Sequence, residues 1–318
     1  MAFEIKEMTV NSTDNIHTLV GKIYIPDGEI KGLFQIVHGM TEHIGRYDEF
    51  AKFLIAKGYV VFGADHLGHG QSVGSDKELG YFCSKKPAEV LVLDVHTVVK
   101  IAEHDYPGSD VFILGHSMGS FVVRNYLCDY CDSVKAAVIV GTGSQSGIVL
   151  LGGKIITSVI SFFRGGHYYS PFVEKMAFGH YLDRIENPVS GYDWLSEDKE
   201  NVKRYLEDDR AGIDFTVNGY KTLFTLISRC QSKSRVEKMD KKKPILIISG
   251  KEDPVGAYGK GVAGLVSLYK KHGLCNVHCR LYDNMRHEIL NETERHKVYD
   301  DVYKFILKNA GKEKRSEE

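Results

Sequence analysis

Net charge of either sign is missing from this 318-residue chain: 41 lysines and arginines stand against 42 aspartates and glutamates. That balance excludes electrostatics as the main basis for binding a nucleic acid or an anionic membrane. The one basic run, Lys233 to Lys243, is broken by Glu237 and Asp240 and reads as a solvated connector. An apolar leader is missing too. Met1-Ala2-Phe3-Glu4-Ile5-Lys6-Glu7 is charged from the outset and offers no signal-peptide core, so a cytoplasmic location is expected. The longest uncharged stretch, residues 136–153, is interrupted by Gly141-Thr142-Gly143-Ser144-Gln145-Ser146-Gly147, which argues against a transmembrane segment. Cysteine does not form a framework. Cys128 and Cys131 are a lone C-x-x-C without a second pair at zinc spacing, and with Cys83, Cys230, Cys275 and Cys279 they read as free, packed thiols. No internal repeat or low-complexity segment is present, and there is a single tryptophan, Trp194.

What is present is enough apolar material, 43% of the residues against 26% charged, for a sizeable core. The length fits two domains, or one large α/β domain with an insertion. Short apolar runs alternate with helical patterns, which predicts a mostly parallel sheet with helices on both faces. Leu33–Val37, Tyr59–Ala64, Val111–Leu114, Val134–Val140, Ile245–Ile248 and Val277–Tyr282 read as strands. Helices are expected over Arg46–Lys57, Pro87–His104, from Met118 onward, Ala257–His272 and Glu294–Asn309. Phe3–Val10 and Val20–Ile25 alternate like an antiparallel entry hairpin. The rhythm stops between Gly143 and Ser232. The predicted organisation is therefore a core from 1–142 and 233–311, an inserted helical cap over 143–232, and a charged, frayed tail over 312–318.

Chemistry enters at Gly115-His116-Ser117-Met118-Gly119. This G-x-S-x-G run follows a buried strand and precedes a helix, the context in which a serine nucleophile sits on a strained turn above the sheet edge. The flanking glycines allow the chain to turn where side chains would collide. A serine hydroxyl needs a base. His287 follows the last predicted strand after Asp283-Asn284-Met285-Arg286, and Asp253 follows the strand before it after Gly250-Lys251-Glu252. Three strand ends thus deliver Ser117, Asp253 and His287 in the chain order of an α/β-hydrolase triad. Glu252 is the main rival for the acid and Glu288 a weaker one. The oxyanion needs two donors: the amide of Met118, at a helix start, and the amide of Met40, in the loop after Leu33–Val37, are the candidates.

Taken together, His38-Gly39-Met40-Thr41-Glu42-His43-Ile44-Gly45-Arg46-Tyr47, Asp65-His66-Leu67-Gly68-His69-Gly70-Gln71-Ser72 and Gly115–Gly119 resemble the monoacylglycerol lipase and lysophospholipase-like branch of the α/β hydrolases, a group that includes the serine aminopeptidase-like hydrolases. The resemblance runs from about Gly32 to Gly141 and from Pro244 to Leu307. It implies the α/β-hydrolase fold, a Ser–His–Asp hydrolase without a cofactor, and a cap that shapes the substrate site. Ser117, Asp253 and His287 match the family triad, and Met40 and Met118 its oxyanion amides. Ser120 departs from the glycine that many members carry after the elbow, and the cap matches less clearly.

Within the cap, Ile148, Leu151, Ile155, Val159 and Phe162 recur at helical spacing and form a wide apolar face. Two roles are open for it: a lid that lines an acyl pocket or meets an aggregated lipid, or simple packing on the core. Ile148, Leu151, Ile155 and Trp194 are the candidate substrate-binding residues of the cap. Asp193 to Arg210, with seven acidic and four basic residues, reads as a solvated face. Gly259-Lys260-Gly261-Val262-Ala263-Gly264 fits G-x-G-x-x-G but does not directly follow a strand, which excludes a dinucleotide site. His66 and His69 lack a partnering cysteine or carboxylate cluster, so no metal site is expected. The expected function is hydrolysis of a carboxylic ester of a small-molecule substrate, foremost a monoacylglycerol or lysophospholipid. A smaller or aryl ester such as a hydroxycinnamoyl ester, an aminopeptidase substrate, and a non-catalytic ligand-binding role are the alternatives.

Overall fold

The computed structural model describes residues 3–311, so the charged tail read over 312–318 lies outside the described residues. Eight strands form one sheet: β1 (Phe3–Asn11), β2 (Thr18–Pro26), β3 (Gly32–Val37), β4 (Tyr59–Ala64), β5 (Val111–His116), β6 (Ala136–Val140), β7 (Ile245–Gly250) and β8 (Val277–Tyr282). Their spatial order is β1-β2-β4-β3-β5-β6-β7-β8. β1 and β2 pair antiparallel with each other, and β2 with β4; every later pairing is parallel. The strand readings from sequence hold because the inner strands are buried on both faces and so read as near-continuous apolar runs. In β3, Leu33 and Val37 point to one hydrophobic cluster while Phe34 and Ile36 point to the other.

Helices α1 (Asp48–Ile55), α2 (Pro87–Asp105), α3 (Met118–Asp129), α4 (Gly147–Arg164), α5 (Pro171–Phe178), α6 (Lys199–Leu206), α7 (Val217–Cys230), α8 (Lys233–Val236), α9 (Lys260–Lys271) and α10 (Arg295–Asn309) complete the described chain. α2, α3, α7 and α9 pack on one face of the sheet, α1 and α10 on the other. The helix read over Arg46–Lys57 is a single turn of 3-10 helix, Ile44–Tyr47, followed by α1, and Gly58 ends it with φ +90°. The basic run is not wholly solvated: it opens with α8, Val236 and Met239 are buried, and the Lys243 ammonium donates to the Val134 carbonyl at 2.6 Å. β5 has all six residues buried. Each large apolar side chain buried there is worth about 1.5–3 kcal/mol, so the strand end that carries Ser117 is firmly fixed.

The stretch from 143 to 232 holds α4 to α7, and its last helix is not peripheral. Leu226 and Cys230 of α7 are fully buried with α2 and α3 in one cluster. α4 starts at Gly147, the last of the glycines that interrupt the uncharged stretch. By length and composition it is long and apolar enough to cross a membrane, and only 17% of it is buried. Leu150, Gly153 and Thr157 face α7, where a Cβ on Gly153 would stand 2.8 Å from the Phe224 ring. The opposite face exposes Ile148, Leu151, Ile155, Val159 and Phe162. Among the cysteines, Cys83, Cys128, Cys131 and Cys230 are buried free thiols; Cys275 and Cys279 are free but exposed, because β8 is the edge strand, so packing describes four of the six.

Candidate active site

Ser117 lies between the last residue of β5 and the first of α3, with φ +52° and ψ −121°. A non-glycine residue there stores about 1–3 kcal/mol of strain, which the packed surroundings must hold. The flanking glycines are obligatory. A Cβ on Gly119 would stand 2.1 Å from the Val37 carbonyl oxygen, and one on Gly115 2.4 Å from that of Gly119. The departure at Ser120 is accommodated: its hydroxyl donates to the Ser117 carbonyl oxygen at 2.5 Å and lies 2.8 Å from Thr142 Oγ1, buried inside the fold.

Asp253 follows β7 and is fully buried. Its two oxygens each lie 3.1 Å from Nδ1 of His287, which follows β8. Ser249 Oγ donates to Oδ2 at 2.7 Å and the Val255 amide to Oδ1 at 2.9 Å. Burial works against the charged carboxylate, but the charge and hydrogen bond of His287, with the bonds from Ser249 and Val255, outweigh it. The Asp253 carboxyl is held below its ordinary range. Because both carboxylate oxygens accept, Nδ1 of His287 carries its proton, and Nε2 is left with its lone pair. Nε2 is buried and has no hydrogen-bond partner among the described residues. The rival acids go elsewhere: Glu252 is exposed, and Glu288 is bound to Arg46.

Ser117 and His287 line one cavity of about 250 Å³, and Met40 and Met118 line it with them. Met118 opens α3, whose N-terminus has no side-chain cap and begins at Ser117, so the positive end of the helix dipole lies at the serine. Met40 follows Gly39, where a Cβ would stand 3.0 Å from Ser117 Cβ and 2.5 Å from Glu42 Oε1. Only glycine lets this loop approach the nucleophile.

Of the four cap residues expected against substrate, Trp194 lines the cavity, and its ring lies 5.1 Å from the His287 ring. Ile148, Leu151 and Ile155 do not. They sit on the outer face of α4, which packs through its small residues instead. The apolar wall comes from residues that sequence periodicity did not single out: Phe178, Tyr181, Phe215, Tyr220 and Leu223. The segment Asp193–Arg210 is likewise only half solvated. Asn201 and Tyr205 are buried, with Tyr205 hydroxyl donating to the Thr41 carbonyl at 3.1 Å.

Sequence reasoning also missed a buried ionic cluster on the cavity wall. Arg46 bonds Glu42 Oε2 at 3.2 Å and both oxygens of Glu288, with Nη2 to Oε2 at 2.8 Å. Asn201 of α6 donates to Glu288 at 2.7 Å, and the Tyr47 hydroxyl donates to Glu42 at 2.7 Å. Burial opposes both carboxylates, yet His116 and Arg46 hold Glu42, and Arg46 holds Glu288, below the ordinary carboxylate range. The i, i+4 spacing of Glu42 and Arg46 was a usable signal. By contrast, His38, His66 and His69 cluster with ring centroids 4.4–6.3 Å apart, and burial depresses His66 to about 3 and His69 to about 4. Each bonds main-chain atoms. No group of histidines, cysteines or carboxylates among the described residues is arranged to hold a metal ion.

A doubly wound sheet in this strand order, with a serine on a glycine-flanked elbow after β5 and an Asp–His pair from the ends of β7 and β8, defines an α/β hydrolase. The sequence matches the family model described as serine aminopeptidase, S33, over residues 28–294. The chain belongs to that family. It is 28% identical to a monoacylglycerol lipase of Mycolicibacterium smegmatis, over 94% of this chain and 99% of the relative. It is 32% identical to the monoglyceride lipase of Mus musculus over 59% of this chain and 56% of the relative. Among solved structures, a thermostable carboxyl esterase from Bacillus coagulans in complex with glycerol superposes with a TM-score of 0.90 at 26% identity, covering 98% of this chain and all of the other.

Proposed function

We propose that the protein is a carboxylic ester hydrolase acting on monoacylglycerols. One observation carries the chemistry: Asp253 fixes the proton of His287 on Nδ1, leaving a buried, unpartnered Nε2 in the same cavity as the strained Ser117. In this reading Ser117 Oγ attacks the acyl carbon and passes its proton to His287 Nε2. The tetrahedral oxyanion is held by the amides of Met40 and Met118, each worth about 3–4 kcal/mol of barrier. Collapse expels the alcohol oxygen, which takes the proton from Nε2. Water then attacks the acyl-enzyme, again losing a proton to His287, which returns it to Ser117 Oγ as the acyl–Oγ bond breaks and the fatty acid leaves.

The substrate class rests on the cavity and on the relatives. An aromatic and aliphatic wall suits an acyl chain, and the polar cluster of Glu42, His116 and Glu288 suits a hydroxylated alcohol. The lipases and the esterase it resembles support the same choice. With Ser117→Ala as the blank, kcat/KM on straight-chain esters is expected to rise by at least tenfold from acetyl to medium or long acyl groups. A maximum at acetyl or butyryl would move the assignment to small or aryl esters.

The segment 143–232 is proposed as the cap, with the exposed face of α4 meeting the lipid aggregate in which such substrates reside. Phe162→Glu combined with Ile148→Glu is expected to lower hydrolysis of dispersed long-chain monoacylglycerol by about tenfold while leaving a soluble butyryl ester within twofold. Burying two large apolar side chains in lipid is worth about 3–6 kcal/mol, of which partial insertion realises a fraction. Equal loss on both substrates would show that the face serves packing instead.

A further inference from the structure

We propose that His116, the residue immediately before the serine, is held as an imidazolium and is a positioning residue that aims the ring of His287. The inference rests on the Ser–His–Asp reading above. Its first support is geometric. His116 is buried, its Nδ1 lies 3.0 Å from Glu42 Oε1, and its Nε2 has a longer contact, 3.4 Å, to the main-chain carbonyl oxygen of His287. A neutral imidazole presents a lone pair on one nitrogen. Here both nitrogens face oxygen acceptors, and only the doubly protonated ring satisfies both. The Tyr47 hydroxyl, 2.9 Å from Nδ1, does not relieve this. Its proton goes to Glu42 Oε1, so it turns an oxygen lone pair toward His116.

The second support is the charge count. The groups that face His116 are Glu42 and Tyr47 from the loop and turn after β3, and His287 and Glu288 from the loop after β8, with Arg46 paired to both carboxylates. Two carboxylates and one guanidinium leave one buried negative charge uncompensated; an imidazolium cancels it. Burial favours the neutral ring, but the hydrogen bond and charge of Glu42, with Glu288, outweigh that and raise the His116 pKa.

The third support is placement. Glu42 also accepts the Gly39 amide, at the start of the loop that carries Met40. Asn201 of α6 joins through Glu288. One cation therefore ties together the oxyanion loop, the serine elbow, the carbonyl of the catalytic histidine and, through Arg46 and Glu288, the cap. The rings of His116 and His287 lie 4.7 Å apart, close enough that moving one moves the other.

In protein labelled with 15N-histidine, an imidazolium with both ring nitrogens protonated is expected at pH 8. It should survive His287→Gln and vanish in His116→Gln. A neutron structure of the unaltered protein gives the same answer without a variant: two deuterons on His116 support the proposal, and one overturns it. His116→Gln is further expected to lower kcat by about 10–100-fold with KM within twofold, the signature of a misaimed proton acceptor. A kcat within twofold of the unaltered protein would overturn the positioning role. Absence of Ser117-dependent hydrolysis in the unaltered protein would instead overturn the hydrolase reading, and the charge on His116 would still be readable.

Discussion

Ser117→Ala is expected to lower kcat on a monoacylglycerol by about 10⁵–10⁶-fold while leaving the protein folded. The loss is large because the serine, the histidine and the aspartate act as a unit; without the nucleophile, only the amides of Met40 and Met118 and substrate binding remain to lower the barrier. Stability should hardly change. Alanine inherits the same backbone strain at φ +52°, and no side-chain hydrogen bond of Ser117 is lost, since its bonds run through the main chain, from its amide to the Val140 carbonyl and from the Ser120 amide to its own carbonyl. The check is a pair of measurements: turnover, and labelling by a fluorophosphonate probe, which should be rapid in the unaltered protein and absent in the variant. Retained biological function in Ser117→Ala would favour the ligand-binding alternative over catalysis.

The second large effect is expected at Asp253. Asparagine in its place keeps the size but can present its amide to Nδ1, which holds the proton on the wrong nitrogen. Nε2 then carries a hydrogen where a lone pair is needed, and kcat/KM should fall by about 10⁴-fold. The acid limb of the pH profile tests the same assignment. The Asp253 pKa in the folded protein is depressed, so the stability its charge contributes is complete above the unfolded value of about 3.9 and is lost only as pH falls through the lower folded value. Activity lost between about pH 8 and pH 5 is therefore not loss of the Asp253 charge. A variant whose kcat/KM falls by less than tenfold would return the acid role to one of the neighbouring carboxylates.

The parts of the site that sequence reveals are those held by local geometry. The elbow is legible because Gly115 and Gly119 have no alternative: the clashes at 2.4 and 2.1 Å would forbid any side chain. Asp253 is legible because it follows a fully buried apolar strand, β7, and His287 because it follows the next strand, β8, although that edge strand is largely exposed. The segment 143–232, proposed as the cap, is legible as helix but not as orientation. α4 is apolar on both faces, and periodicity alone cannot say which one packs. The informative residues were the small ones, Gly153 and Thr157, which mark where α7 comes close. The ionic cluster was hidden for another reason. Arg46 and Glu288 are 242 positions apart, and no spacing rule links them.

The single tryptophan lies against the ring of His287, with Phe178 stacked beyond it at 6.2 Å. Every other indole that could contribute a background is absent. The tryptophan fluorescence of this protein is thus emitted from beside His287, and a charged imidazole quenches a neighbouring indole. Stopped-flow emission, with no dye and no reporter substrate, should follow protonation of His287 and the arrival of a natural ester beside it within a single turnover.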